Sequence, residues 1–108
     1  YHGLLSEKCE VPVLLPENTS AWAQYTIKVG NRGDIQKSLK ARGIPSVVYY
    51  PIPLSKQLGY AHYPSVSCGV AASERLAESV LSLPMHPYLA RAQQREIAES
   101  FALLLHSA

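Results

Sequence analysis

The chain has 108 residues, 47% of them hydrophobic and 17% charged, with a formal net charge of +2. That is the composition of one ordinary globular domain with one modest core, and so small a charge, scattered along the chain, argues against a nucleic-acid or membrane partner. No apolar run approaches the length of a membrane span, and Cys9 and Cys68, far apart and without metal-type neighbours, predict free thiols in a reducing cytoplasm.

Tyr1 to Glu10 reads as a helix end or a loop, and the first fifteen residues lack the basic lead and long apolar centre of a secretory leader. Val11 to Leu15, ending at Pro16, predicts an edge strand. Ala21 to Val29 predicts a half-buried strand, because Trp22, Gln24, Thr26 and Lys28 alternate with the more apolar set Ala23, Tyr25, Ile27 and Val29. Arg32 to Arg42 predicts a helix, with Asn31 or Asp34 at its start, Ile35 and Leu39 on one face, and Gly43 at a left-handed C-terminal cap.

Ile44 to Tyr50 is β-branched and aromatic and predicts a strand stopped by Pro51 and Pro53. Ile52 to Gly69 reads as a long irregular connection, a place where function concentrates. Ala71 to Leu81 predicts a helix with Ala72, Leu76 and Val80 on one stripe, followed by a short extended piece. Leu89 to His106 predicts the last helix, its stripe formed by Ile97, Phe101, Leu104 and Leu105. The connection from Leu15 to Ala21 is too short for a parallel crossover. The expected fold is therefore α+β, a small, mostly antiparallel sheet with helices on one face.

The acids do not suggest a paired-carboxylate site; Glu74 and Glu78, four apart, read as a solvated helix face. The four histidines have no zinc-ligand spacing. His62 is the one placed for ligand contact, although a surface histidine is the plainer reading, and His86 reads as a structural contact at a turn. There is no nucleophile elbow and no phosphate loop. Gly30-Asn31-Arg32-Gly33 has the outline of an anion nest, but a turn into a helix accounts for it better.

The positive signal is Tyr49, Tyr50, Lys56, Gln57 and Tyr60, which follow a strand in a proline-stiffened loop. Phenols and a carboxamide suit a hydroxyl-rich ligand, and a lysine suits an anion. Strand alternation places Tyr49 and Tyr50 on opposite sides, so only one of them is expected to reach a given ligand. Taken alone, these residues leave a core-and-surface reading in front.

Four segments in order alter that balance: Trp22-Ala23-Gln24-Tyr25-Thr26-Ile27, the helix leading to Gly43-Ile44-Pro45, Tyr49-Tyr50-Pro51-Ile52-Pro53-Leu54 followed by Gln57 and Tyr60, and Ser82-Leu83-Pro84-Met85-His86-Pro87. Together they resemble the C-terminal small domain of the DegT/DnrJ/EryC1/StrS nucleotide-sugar aminotransferases, over nearly the whole chain. Two positions depart from the family's pattern: Tyr49 and Ser55 stand where histidine is frequent.

The resemblance implies that residues 1–108 form one small domain of a larger fold-type I enzyme. Such enzymes are homodimers. They use pyridoxal phosphate to transfer an amino group, usually from glutamate, to a keto-sugar on a nucleoside diphosphate. The large domain carries the cofactor and its lysine; Lys28, Lys37, Lys40 and Lys56 do not sit in the family's lysine motif. The fragment itself is expected to be inactive and to hold no cofactor, its partners being the large domain, a UDP-sugar and glutamate.

The segment around Trp22 is most similar to members acting on 3-keto UDP-N-acetylglucosaminuronic acid in surface-polysaccharide and O-antigen synthesis. Tyr50, then Tyr49, Lys56, Gln57 and Tyr60, are the implied substrate contacts, with Lys56 facing an acidic sugar. The competing reading is a stand-alone α+β binding module without cofactor.

Overall fold

At the centre of the structure, a computed structural model that describes residues 1–105, lies the strand β2 (Val80–Leu83), all four of whose side chains are buried. It pairs antiparallel with β1 (Tyr25–Lys28), Thr26 opposite Ser82 and Ile27 opposite Leu81. Tyr25 and Ile27 point into the core while Thr26 and Lys28 are half-buried, as the period-two pattern predicts. The helices are α1 (His2–Leu5), α2 (Arg32–Ala41), α3 (Ala71–Ser79) and α4 (Arg91–Leu105). Of these, α4 packs on both α1 and α2, and α2 reaches β2. The largest fully buried side chains are Phe101, Leu5, Ile27, Leu39 and Leu81, one from each element that builds the core. This is the expected α+β fold.

The sheet is narrower than the sequence predicts. The expected strand over 11–15 is absent; only Glu10 reaches β1, in an antiparallel bridge to Lys28. Pro12 and Pro16 explain it, since neither offers an N–H to extend a ladder. The expected strand over 44–50 shrinks to a bridge between Val47 and Ser82, with N–H···O distances of 3.1 and 2.8 Å. Pro45 and Pro51 bracket it. The strand expected over 21–29 forms only at Tyr25–Lys28, because Trp22 adopts a left-handed backbone (φ 48°) that ends the extended run.

Two helices differ from expectation. α3 stops at Ser79, two residues early, and runs directly into β2 at Val80 (φ −71°, ψ 138°). The buried residue of α3 is Ala77, whereas Ala72 and Leu76 face outward. The stop is anchored from α2: the Arg32 guanidinium donates to the Ala77 carbonyl and, at 3.4 Å, to that of Val80. A cation thus closes carbonyls that a helix C-terminus leaves open. α4 begins at Arg91 rather than Leu89; the expected end at His106 lies outside the described residues.

α2 ends as predicted. Gly43 is left-handed (φ 73°), its N–H donating to Lys40 O and that of Ile44 to Leu39 O, both at 3.0 Å. This is a Schellman closure, and the buried pair Ile44 and Leu39 completes it. At the other end Asn31 is left-handed and its carbonyl accepts from Asp34 and Ile35, the turn into a helix rather than an anion nest.

Candidate functional site

The bridge at Val47 decides where the tyrosines go. Ser82 holds Val47 on the edge of β2 in a single antiparallel bridge, and the chain leaves the sheet at residues 48–50. Pairing has ended there, and alternation no longer governs the side chains. Instead of lying on opposite faces, Tyr49 and Tyr50 meet edge to face at 5.6 Å, across a cis peptide bond, and both are exposed.

Tyr49 lines a hollow of about 350 Å³ with Gln24, Ser46, Val47, Met85 and His86. Among the described residues its lining contains no lysine, arginine or carboxylate. Both walls are tied down: Ser82 by its two bonds to Val47, and the turn at His86 by a 3.1 Å bond from Leu89 N to His86 O. In its lining the Ser46 hydroxyl is closed off from solvent and has no hydrogen-bond partner among the described residues, while the Ser46 carbonyl accepts from Gln36 at 3.1 Å.

Lys56 and Tyr60 lie elsewhere. The connection over 52–69 is a succession of turns, opening on a single 3₁₀ turn at Leu54–Lys56. The Gln57 carbonyl accepts from Tyr60 and Ala61, both at 2.9 Å, and its carboxamide reaches back to Ile52 O at 3.4 Å. Against the start of α3 this segment forms a second hollow, of about 630 Å³, lined by Leu54, Lys56, Tyr60, Tyr63, Val66 and Glu74. Lys56 is already ion-paired there, its Nζ 3.2 Å from Glu74 Oε1.

The five candidate residues therefore divide. Tyr49 and Tyr50 stay together at the first hollow and its rim, whereas Lys56 and Tyr60 line the second. Tyr50 and Gln57 line neither. His62 is exposed with its ring 4.5 Å from that of Tyr63, the plain surface position. His86, expected as a turn contact, makes that contact through its backbone and is also one of the residues that line the first hollow. That His86 and Gln24 line one hollow was not legible in the sequence; the available signal was that their segments flank β1 and β2, which must pair.

A separate aromatic cluster closes the sheet's end. The Tyr25 ring lies 5.1 Å from Tyr1 and 5.4 Å from Trp22. Tyr1 donates to Pro84 O at 2.9 Å, and burial pushes its phenol up to about 12. Burial also raises the Tyr25 phenol, with a smaller contribution from the Cys9 thiolate, and raises the Cys9 thiol itself. Both cysteines are free thiols. Among the described residues no group of three or more His, Cys, Asp or Glu could hold a metal ion, and no helix is long and apolar enough to cross a membrane.

The comparisons with known proteins match this architecture. The profile of the DegT/DnrJ/EryC1/StrS aminotransferase family matches residues 1–102. A UDP-2-acetamido-2-deoxy-3-oxo-D-glucuronate aminotransferase of Pseudomonas aeruginosa is 45% identical over 78 residues, covering 72% of this chain and 21% of that protein. A UDP-N-acetyl-3-dehydro-alpha-D-glucosamine 3-aminotransferase of Acidithiobacillus ferrooxidans is 45% identical over 83 residues, covering 77% and 22%. The crystal structure of a DegT DnrJ EryC1 StrS aminotransferase from Brucella abortus superposes with a TM-score of 0.91 at 44% identity, covering 95% of this chain and 28% of that one. The chain thus spans about a fifth of the length of the curated relatives it matches. With a profile match over residues 1–102 and the same small antiparallel sheet between helices, the chain belongs to the DegT/DnrJ/EryC1/StrS aminotransferase family.

Proposed function

We propose that this chain is the small-domain part of an aminotransferase that places an amino group on carbon 3 of a UDP-linked 2-acetamido-3-keto-sugar. The observation that carries this reading is what the two 45%-identical relatives share in name: both act on UDP sugars with an acetamido or N-acetyl group and an oxidised carbon 3. The geometry supports it, because the exposed pair Tyr49 and Tyr50 stands beside a hollow fixed by the sheet.

The residues present do not fit pyridoxal phosphate. Lys28 is paired with Glu10 and Lys56 with Glu74, while Lys8, Lys37 and Lys40 are exposed surface residues. None of these lysines stands in an enclosed site where a Schiff base could form. In this reading the cofactor, its lysine and the second subunit of a homodimer come from outside residues 1–105. Glutamate as donor, a role in surface-polysaccharide or O-antigen synthesis and a cytoplasmic setting belong to the same proposal.

What these residues supply is a wall for the sugar. Tyr50, 69% exposed and without a hydrogen-bond partner among the described residues, is free to donate to a sugar hydroxyl. Tyr49 lines the hollow beside it. Lys56 and Tyr60 belong to the separate, second hollow, where Lys56 reaches a substrate only if it exchanges Glu74 for a ligand anion, and Gln57 shapes the turn between them. Several large apolar side chains of the loop are exposed, Leu58 at 97% and Tyr63 at 63%, which favours a domain that another surface covers over a free-standing module.

The test is turnover by the full-length enzyme with glutamate, read as 2-oxoglutarate formed. The UDP-2-acetamido-3-keto-sugar is expected to turn over, and Tyr50→Phe to lower kcat/KM about tenfold, a loss of about 1.4 kcal/mol. Turnover of deoxy keto-sugars on dTDP, with none of the acetamido substrate, would overturn the reading.

A further inference from the structure

We propose that the hollow between Gln24, Tyr49 and His86 seats the acetamido group of the sugar, with Gln24 and His86 as the specificity-determining residues. The inference rests on the function proposed above and adds to it the place and chemistry of recognition.

Size is the first argument. About 350 Å³ lies at the small end of ligand pockets, which run from about 300 to 1,000 Å³. It suits one sugar ring and its substituent, and leaves no room for the nucleotide. Chemistry is the second. Among the described residues no lysine, arginine or carboxylate lines the hollow, so it is matched to a neutral group rather than to the carboxylate of an acidic sugar. The Gln24 carboxamide offers both a donor and an acceptor, the complement of an acetamido C=O and N–H. The His86 imidazole adds a further position of either kind. Neither side chain is engaged with another described residue, and Gln24 and His86 are both exposed.

The third argument is the apolar lining. Val47 and Met85 are the apolar residues of the lining that suit an acetamido methyl, and a thioether adapts to such a small group. The fourth is rigidity. Val47 is held by both hydrogen bonds of its bridge to Ser82, and Gln24 immediately precedes Tyr25, the first residue of the ladder. The polar groups therefore project from fixed backbone, which favours specificity. The second hollow is a poorer candidate for this neutral group, because its one lysine and one carboxylate are occupied with each other.

The experiment uses the full-length enzyme and two UDP-linked 3-keto-sugars differing only at carbon 2, acetamido against hydroxyl. Gln24→Leu is expected to raise KM for the acetamido substrate about tenfold and leave the hydroxyl substrate unchanged. His86→Leu is expected to act in the same direction, with His86→Gln restoring most of the loss. Equal losses on both substrates, or no loss on either, overturn the proposal.

Calorimetric binding of unreactive UDP-N-acetylglucosamine against UDP-glucose supplies a second readout, with Gln24→Asn as the milder variant should Gln24→Leu fold poorly. A preference for the acetamido ligand that the Gln24 variants erase supports the hollow even if no keto-sugar is turned over, in which case only the reaction is wrong. Absence of any preference in the unaltered protein overturns the hollow even if turnover is seen.

Discussion

Lys56 and Glu74 form an ion pair, Nζ to Oε1 3.2 Å, that joins the turn-rich segment after Pro53 to the first turn of α3. Both side chains are partly exposed, at 59% and 37%, so the pair adds little to global stability, less than about 1 kcal/mol. Its effect is expected to be local. Glu74→Gln should raise the rate of proteolytic nicking between residues 57 and 70 several-fold, while the unfolding midpoint hardly moves. High salt should reproduce the effect in the unaltered protein, because exposed pairs are screened. A nicking rate that ignores both changes would show that the turns alone hold the segment.

Thr26 and Ser82 test the sheet. Their hydroxyls are 2.8 Å apart across the β1–β2 pair, and Ser82 is buried while Thr26 is half-buried. Removing either partner breaks one hydrogen bond, but the consequences differ. Thr26→Val strands the buried Ser82 hydroxyl and is expected to cost about 1–3 kcal/mol. Ser82→Ala leaves Thr26 able to reach water and should cost about 0.5–1.5 kcal/mol. With both replaced, no orphan remains, and the double variant should be more stable than Thr26→Val alone. Urea unfolding of the four proteins measures this coupling.

Gly43 is the position where a missing side chain matters most clearly. It sits at φ 73° in the closure of α2, and a Cβ there would meet nothing within 4 Å. The cost of substitution is thus conformational and not steric. Gly43→Ala should destabilise by about 1–2 kcal/mol, and Gly43→Asn by less, since asparagine tolerates the left-handed region. Equal effects from the two would mean that space, not backbone geometry, sets the requirement.

That glycine also shows what local sequence can reveal. Gly43, Ile35, Leu39 and the alternation over Tyr25–Lys28 were legible because each expresses a local rule, a cap or a period. The positions that eluded local reading depend on partners distant in sequence. Val80 continues the helical spacing of Ala72 and Leu76, yet Val80 and Leu81 become strand because β1 is there to pair with them and Arg32 closes the helix before them. The candidate site divided for the same reason. Tyr49 and Lys56 are seven residues apart in sequence, but the first follows the Val47 bridge to the sheet and the second is drawn to Glu74. Gln24 and His86, sixty-two residues apart in sequence, line one hollow only because Tyr25 stands opposite Leu83.

Tyr1 and Tyr25 supply a prediction in pH. Their ring centroids lie 5.1 Å apart, the planes tilted by 40°, and burial raises both phenols, but their hydroxyls are placed differently. Tyr1 donates to Pro84 O, whereas the buried hydroxyl of Tyr25 has no partner among the described residues. Tyr1→Phe should therefore cost about 1 kcal/mol, and Tyr25→Phe should be neutral or stabilising. In both residues the folded state holds its proton longer than the unfolded chain. Below the ordinary phenol value of 10 both states are protonated and this contribution is fully present. As pH rises, the unfolded chain releases its proton first, so stability falls across the window from 10 to about 12, the value for Tyr1 in the fold. Tyr1→Phe should flatten that fall, and Tyr25→Phe should flatten it further. Urea midpoints taken through the alkaline range check the sign, and a midpoint that rises with pH in that window would sink the argument.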